Sequence, residues 1–385
     1  MLINICTSAN QHISTLALIV GVLYQKNHKQ SASSAFYAIG ECRYKTKTSC
    51  NFVAKAIMVV NGCLWNYFRM VENVNRVKTA LMVVGPTAVG KTGFAIRLAQ
   101  HYNTEVVSAD SRQVYREMLI GTAFPTIEEL EAAPHHLVGH RSVLDHYNVS
   151  MWEKEALETL ATLFKRHNVV VVSGGSGMYC KVLEHGIDQL PDIDMALRDA
   201  LAGEYATKGL TWLQQEVAKV DPEYYEKVDR KNPARLLRAL EVYHTTHQKF
   251  SELRIAQPVT RPFRFIKIGL DLPREELHKR IAERAHKMVN NGLVDECRKL
   301  YPLKNKSALK SVGYTEVFNH FDGQCTLDQA VEKIITNTRR YARRQITWFK
   351  RDQQITWFHP DRFADALEHI EKGFITQKIN PKKSD

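Results

Sequence analysis

Two kinds of apolar pattern alternate along this chain. Thr79-Ala80-Leu81-Met82-Val83-Val84 and Asn168-Val169-Val170-Val171-Val172 are short, almost wholly apolar runs that lead into glycine-rich stretches. Runs of that length and composition predict strands buried on both faces, as in a parallel sheet. Glu105 to Ala109 and Phe263 to Leu270 read as further strands. Between them the apolar spacing changes to three and four. Gly93-Phe94-Ala95-Ile96-Arg97-Leu98-Ala99 is helical by this criterion, as are Ala234 to Tyr243, Arg274 to Asn290 and Leu327 to Arg351. Strands alternating with helices imply an α/β fold built on a parallel sheet.

The first strand runs directly into Gly85-Pro86-Thr87-Ala88-Val89-Gly90-Lys91-Thr92, which fits G-x-x-x-x-G-K-[ST]. The order strand, glycine loop, helix brings backbone N–H groups together at a helix N-terminus, where an anion is stabilised. Lys91 adds a charge that can reach phosphates, and the Thr92 hydroxyl is placed to ligate Mg²⁺. The expected fold is therefore a P-loop NTPase-like α/β core. In such a sheet, ligands bind outside the carboxyl ends of the strands. Asp110 follows the second strand directly and falls in that region. It can also act as the N-cap of the next helix, and the two roles are compatible. The strand ending at Val172 continues into Ser173-Gly174-Gly175-Ser176-Gly177, where an NTP-driven machine usually carries a Mg²⁺-holding Asp. That counts against a motor or helicase and leaves kinases and diphosphate-handling transferases.

Residues 191–257 are helix-rich and punctuated by Asp221-Pro222, Asn232-Pro233 and Gln257-Pro258. They read as an insert, giving an expected division into 1–75, a first core segment 76–190, a helical insert 191–261 and a second core segment 262–385. Residues 1–75 lack amphipathic periodicity and are expected to lie outside the working fold, with Met70 a candidate start. Their apolar run from Ile13 to Tyr24 is too short to span a bilayer, and no basic segment precedes it.

Composition adds a partner class. The net charge is +12 in 385 residues. That excess favours a polyanion such as nucleic acid, though a basic soluble enzyme without one has the same balance. Arg235 and Arg238 lie on nearby turns of one predicted helix, and Arg280 and Arg284 share a face of another. Arg339, Arg340, Arg343, Arg344, Lys350 and Arg351 line the C-terminal helix, which closes with Trp348 and Phe349. Basic residues with aromatics suit phosphate contact and base stacking, or a helix with its aromatics in the core and its arginines in water. The seven cysteines contain no C-x-x-C pair and suit reduced thiols in a cytosolic protein. His135, His136, His140 and His146 are crowded but lack Cys or acidic partners at metal-site spacing, so structural or substrate-contacting roles are expected there.

Taken together, these segments resemble the tRNA dimethylallyltransferase family of bacterial type. The residues that carry the likeness are Gly85 to Thr92, Asp110-Ser111-Arg112-Gln113-Val114-Tyr115-Arg116, Ile120-Gly121-Thr122-Ala123 and Pro134-His135-His136-Leu137. Gly174-Gly175-Ser176-Gly177-Met178-Tyr179, Asn232 to Val242, Val312-Gly313-Tyr314 and Arg344-Gln345-Ile346-Thr347-Trp348-Phe349 follow in the family's order. The resemblance implies transfer of a dimethylallyl group from dimethylallyl diphosphate to N6 of the adenosine 3′ of the anticodon. It implies Mg²⁺ near Thr92, Asp110 as general base and Arg284 as a catalytic cation. It implies tRNA contacts from Asp110, Ser111, Arg112, Gln113, Ser176 and Arg198. It extends those contacts to Ala234, Arg235, Leu236, Leu237 and Arg238, and to Lys310, Ser311, Val312, Gly313, Tyr314 and Thr315. The helical insert is expected to clasp tRNA, and the protein to be cytoplasmic, monomeric and free of membrane contact. Ser176 departs from the Thr of many relatives but keeps the hydroxyl, and no zinc finger follows the C-terminal helix.

Two rivals come from other substrate classes. An adenylate isopentenyltransferase would prenylate free AMP, ADP or ATP, and needs neither the insert nor the basic helix. A P-loop small-molecule kinase would consume ATP without a prenyl donor.

Overall fold

The computed structural model describes residues 77–188, 190–254 and 259–376. The expectations for residues 1–75 lie outside them. The described part is built on a parallel sheet ordered β3-β2-β4-β1-β5-β6. Its strands are β1 (Thr79–Val84), β2 (Val106–Ser108), β3 (His135–His136), β4 (Val169–Gly174), β5 (Arg264–Leu270) and β6 (Thr356–Phe358). β1 is buried at every position, as a central strand covered on both faces must be.

Register places the working ends of the strands side by side. Val84 pairs with Gly174 and with Gly269, and Ser108 pairs with Ser173. The loops that leave β1, β2 and β4 therefore emerge on one edge of the sheet. α1 (Lys91–His101) follows β1, α2 (Ile127–Ala132) precedes β3, and α3 (Val149–Leu163) precedes β4. α4 (Gly177–His185) leads away from β4. β2 and β4 differ from the sequence reading at their ends. β2 is shorter, because Ala109 already turns toward Asp110, and β4 runs on through Ser173 to Gly174.

Between β4 and β5 lie α5 (Met195–Val220), α6 (Pro222–Lys227), α7 (Pro233–Thr246) and α8 (Phe250–Leu253). Leu201, Leu213, Val217, Leu236, Leu240 and Phe250 form a buried cluster of their own, separate from that of the sheet. Asp221 binds this group together: it caps α6 by accepting from the Tyr224 N–H at 3.0 Å and takes the Ser251 N–H at 2.7 Å. After β5 come α9 (Arg274–Asn290), α10 (Leu293–Leu300), α11 (Tyr314–Phe321), α12 (Leu327–Phe349) and, beyond β6, α13 (Phe363–Thr376). α9 buries Leu277, Ile281 and Ala285 at intervals of four. Arg280 and Arg284 are therefore on an adjoining face, and Arg280 Nη1 approaches the Val89 carbonyl at 3.5 Å.

The histidine-rich stretch is structural. His135 and His136 form the edge strand β3. Among the described residues no group of three or more His, Cys, Asp or Glu is placed to hold a metal. His136 Nε2 and His167 Nε2 lie 2.6 and 3.2 Å from the Glu105 carboxylate, and Arg166 pairs with it at 2.9 Å. Burial pushes the Glu105 carboxyl up, but the hydrogen bonds from His136 and His167 and the Arg166 charge outweigh it and hold it below its ordinary value. The sign follows from linkage. A carboxyl with a depressed folded pKa contributes stability that is present above its unfolded value and lost as pH falls through the folded one. Glu105→Gln should therefore lower the melting temperature at pH 7 and flatten its fall below about pH 4. Parallel melting curves for both proteins from pH 6 to pH 3 would contradict this.

Candidate phosphate-binding active site

Gly85–Thr92 joins β1 to α1. Gly90 is the N-cap residue, with φ 102° and ψ 23°, and no side chain caps the helix. That left-handed backbone favours glycine. The first N–H groups of α1 thus have no side-chain partner, and the first turn carries no acidic residue. Such an end stabilises an anion. Lys91 Nζ donates to the Pro86 carbonyl at 2.7 Å, folding its charge back over the loop.

Lys91, Arg284 and Asp110 act on one another electrostatically. Burial lowers the Lys91 pKa to about 8; Asp110 opposes the shift and Arg284 adds to it. Burial also lowers Arg284, again with Asp110 opposing. Two cations thus share one carboxylate in a partly desolvated place. An incoming anion relieves their repulsion.

Asp110 serves its own turn with one oxygen. Oδ1 accepts from the N–H of Arg112 at 2.8 Å and of Gln113 at 3.4 Å. The capping and cavity-lining roles coexist, because Asp110 also lines a cavity of about 740 Å³. Its floor is Thr87, Ala88, Gly90, Lys91 and Thr92, with Arg284 and Gln113 in the walls and Leu119, Ile120, Phe124 and Ile127 at an apolar rim. Val89 instead belongs to the core. The Ser176 Oγ accepts from the Ser111 N–H at 2.9 Å, joining the loops after β2 and β4. Arg112 Nη1 donates to the Ala308 carbonyl at 3.1 Å, bringing the Asp110 turn beside the segment that leads into Lys310–Thr315.

Other expected site residues stand apart from this cavity. Arg198 and Arg238 meet in the insert, each 3.2 Å from the Glu241 carboxylate. Ala234 and Arg235 are exposed on α7, and Leu237 is half-buried. Leu236 and Tyr314, also expected as contacts, are both fully buried. Leu236 packs in the helical cluster, and Tyr314 donates its hydroxyl to Glu296 at 2.6 Å. Lys310 and Thr315 are exposed, while Ser311 and Val312 are half-buried and the Gly313 N–H is taken by Glu316.

Three side chains have roles that the sequence does not mark, although Gln345 lies inside the Arg344–Phe349 stretch. Glu296 accepts from the N–H groups of Leu119, Ile120 and Gly121 at 2.9, 2.8 and 3.0 Å, fixing the apolar wall. Tyr341 and Gln345 reach the cavity from α12. Behind the site, burial pushes the Cys180 thiol up to about 12, so it is an unreactive thiol at neutral pH. Among the described residues no helix is long and apolar enough to cross a membrane.

A parallel sheet with a phosphate loop after its central strand, and two cations over that loop, defines a P-loop type α/β protein. Sequence comparison narrows this. The profile of the IPP transferase family matches residues 113–352. The chain is 43% identical to tRNA dimethylallyltransferase 1 of Bacteroides fragilis over 294 residues, which covers 76% of this chain and 98% of that protein. It is 46% identical to the tRNA dimethylallyltransferase of Christiangramia forsetii over 298 residues, covering 77% and 97%. The crystal structure of full-length tRNA isopentenylpyrophosphate transferase from Bacillus halodurans superposes with a TM-score of 0.58 at 32% identity, covering 78% of this chain and 98% of that one. The chain belongs to the IPP transferase family and is an enzyme of that type.

The lowered Lys91 pKa gives a pH test. Lys91 loses its charge as pH rises through about 8, so inorganic pyrophosphate should bind progressively less well above that pH. Lys91→Arg keeps its charge and should remove the decline. Isothermal titration of both proteins from pH 7 to 9.5 measures it, and identical profiles would show that Lys91 does not face the anion.

Proposed function

We propose that this enzyme transfers the dimethylallyl group of dimethylallyl diphosphate to N6 of the adenosine immediately 3′ of the anticodon in tRNA. One observation carries the reading: a single cavity joins a cationic floor, a carboxylate wall and an apolar rim. The names of the relatives support the same reaction. The diphosphate rests on the loop N–H groups with Lys91 and Arg284 around it. As the allylic C–O bond breaks, its electron pair leaves with the diphosphate, and these groups stabilise the growing negative charge. The N6 lone pair forms the new C–N bond. The N6 proton passes to Asp110, on the oxygen that the turn does not use. Thr87 and Ser176 flank the reacting groups.

Magnesium is the ion this reading implies, and the donors fit it. Thr92 offers a hard hydroxyl oxygen in the same cavity. Mg²⁺ commonly takes one or two protein oxygens, substrate phosphates and waters, without an all-protein cage. When bound, it would neutralise charge on the leaving diphosphate. The RNA would lie over exposed Arg340, Arg343 and Arg344 of α12 and Arg351 just beyond it, with Trp348 offering a stacking face. Arg198, Arg235 and Arg238 of the insert would grip its backbone. The target base would leave its stack to enter the cavity, as base-modifying enzymes require.

The decisive experiment supplies dimethylallyl diphosphate with either unmodified tRNA or AMP, followed by mass spectrometry of nucleosides. Prenylated adenosine from tRNA alone is expected. Prenylated AMP with inert tRNA would replace this reading with an adenylate isopentenyltransferase, and ATP turnover without the prenyl donor would point to a kinase.

Asp110→Asn separates catalysis from folding. The amide keeps an acceptor for the Arg112 and Gln113 N–H groups, so the turn persists. It cannot take the N6 proton, so kcat should fall roughly 10²–10⁴-fold with little change in KM for dimethylallyl diphosphate. A folded Asp110→Asn enzyme with full activity would end the general-base role.

Charge reversal of Arg235 and Arg238 should raise KM for tRNA and leave KM for the diphosphate unchanged. For every RNA phosphate that loses its arginine, the salt dependence of tRNA binding should flatten by about one unit of slope. Because Arg238 also pairs with Glu241, Arg235→Glu alone is the cleaner variant. An unaltered salt series for both variants would assign the helix a purely structural role.

A further inference from the structure

One face of α12 lies along the glycine loop that follows β4. Tyr341, Gln345 and Trp348 are spaced by four and three, which puts them in one line along the helix. Tyr341 lies beside Ser176. A Cβ added at Gly175 would overlap the Gln345 amide, and one at Gly177 would overlap the Trp348 indole. The middle residue does more than pack. Gln345 is buried, and its Oε1 accepts from the Thr87 N–H at 2.8 Å while its Nε2 donates to the Gly175 carbonyl at 2.9 Å. One side chain therefore ties the phosphate loop to the loop after β4. Around it on the same helix, Arg340, Arg343 and Arg344 are exposed.

We infer that Gln345 is a positioning residue for the diphosphate: its carboxamide fixes the curvature of the phosphate loop and makes diphosphate binding depend on how α12 is seated. The inference rests on the diphosphate reading above. Thr87 is the third residue of the loop, and with its N–H held by Gln345 the N–H groups that follow keep a fixed aim. A preorganised set of donors stabilises an anion more than one that must be ordered on binding. The geometry demands a group that accepts at one end and donates at the other. A carboxamide does this, and so does a protonated carboxyl of the same shape.

That equivalence supplies the test. The probe is inorganic pyrophosphate with Mg²⁺, titrated calorimetrically against the full-length protein and followed by amide hydrogen exchange at Thr87. Gln345→Leu removes both bonds and should weaken pyrophosphate binding roughly tenfold, with faster Thr87 exchange and unchanged affinity for tRNA. Gln345→Glu should be weak at pH 8, where the carboxylate repels the Gly175 carbonyl. It should regain affinity relative to wild type as pH falls toward 6, because burial favours the neutral acid. A merely space-filling role would show no such recovery. If Gln345→Leu does not fold, Gly175→Ala displaces the same amide and should reproduce the weakened binding and the fast Thr87 exchange.

Equal pyrophosphate affinity in wild type and Gln345→Leu, or a pH-independent ratio for Gln345→Glu, would overturn the assignment and leave the diphosphate reading intact. Failure of wild type itself to bind pyrophosphate would overturn both.

Discussion

Lys91 and Arg284 act on one another's surroundings electrostatically, and Asp110 favours the charge of both. Burial opposes both positive charges, and that of Arg284 also opposes that of Lys91. The backbone position of each is set by its own helix. Lys91 is fixed as the first residue of a helix whose N-cap must be glycine. Arg284 is fixed by the buried stripe Leu277, Ile281 and Ala285 on α9. The charge imbalance favours an anion, and the uncapped N-terminus of α1 adds to it.

Sheet register makes that convergence possible. β1, β2 and β4 end beside one another, so a phosphate loop, a carboxylate turn and a glycine loop share one edge. The loops would still wander without cross-links. Glu296 holds the apolar wall, Ser176 joins the carboxylate turn to the glycine loop, and Gln345 joins the glycine loop to the phosphate loop. Each cross-link comes from an element distant in sequence. Rigid walls around a small charged floor suit chemistry in which a cation-like allyl group must meet a weak nucleophile with water kept out.

Much of this was legible in the chain itself. The apolar runs located four of the strands, because a strand buried on both faces is mostly apolar. The spacing of α9 was read to the residue, since its apolar stripe is clean and Pro273 marks its start. The phosphate loop and Asp110 were legible because their position relative to a strand is a local property. The edge strands β3 and β6 were not. An edge strand has weak apolar patterning, and nothing in the pair His135-His136 announces that it is sheet. Leu236 and Tyr314 lay inside contact motifs but are buried, because a motif marks a stretch of chain and gives no direction for each side chain. Glu296 stands among ordinary helical residues, and Gln345, though inside the Arg344–Phe349 stretch, gives no sign in the sequence that its side chain meets the phosphate loop.

The pentapeptide Gln-Ile-Thr-Trp-Phe shows where local determination stops. It occurs twice, at 345–349 and at 354–358. The first copy is the last turn of α12, and the second runs into strand β6. Identical residues with identical propensities take opposite conformations. The first copy continues a helix already nucleated from Thr326, whose capping box with Gln329 starts it far upstream. The second follows a turn at Asp352 and finds the open edge of β5, where Thr356, Trp357 and Phe358 pair with Ile268, Gly269 and Leu270. Gly269 permits this pairing, since any side chain there would overlap Trp357. The sequence by itself determined the core strands, the phosphate loop and the excess of positive charge, because each depends on neighbours along the chain. The tertiary structure alone decided which Gln reaches Thr87 and which Trp joins the sheet, because those outcomes depend on hydrogen-bonding partners that the chain brings together only when folded.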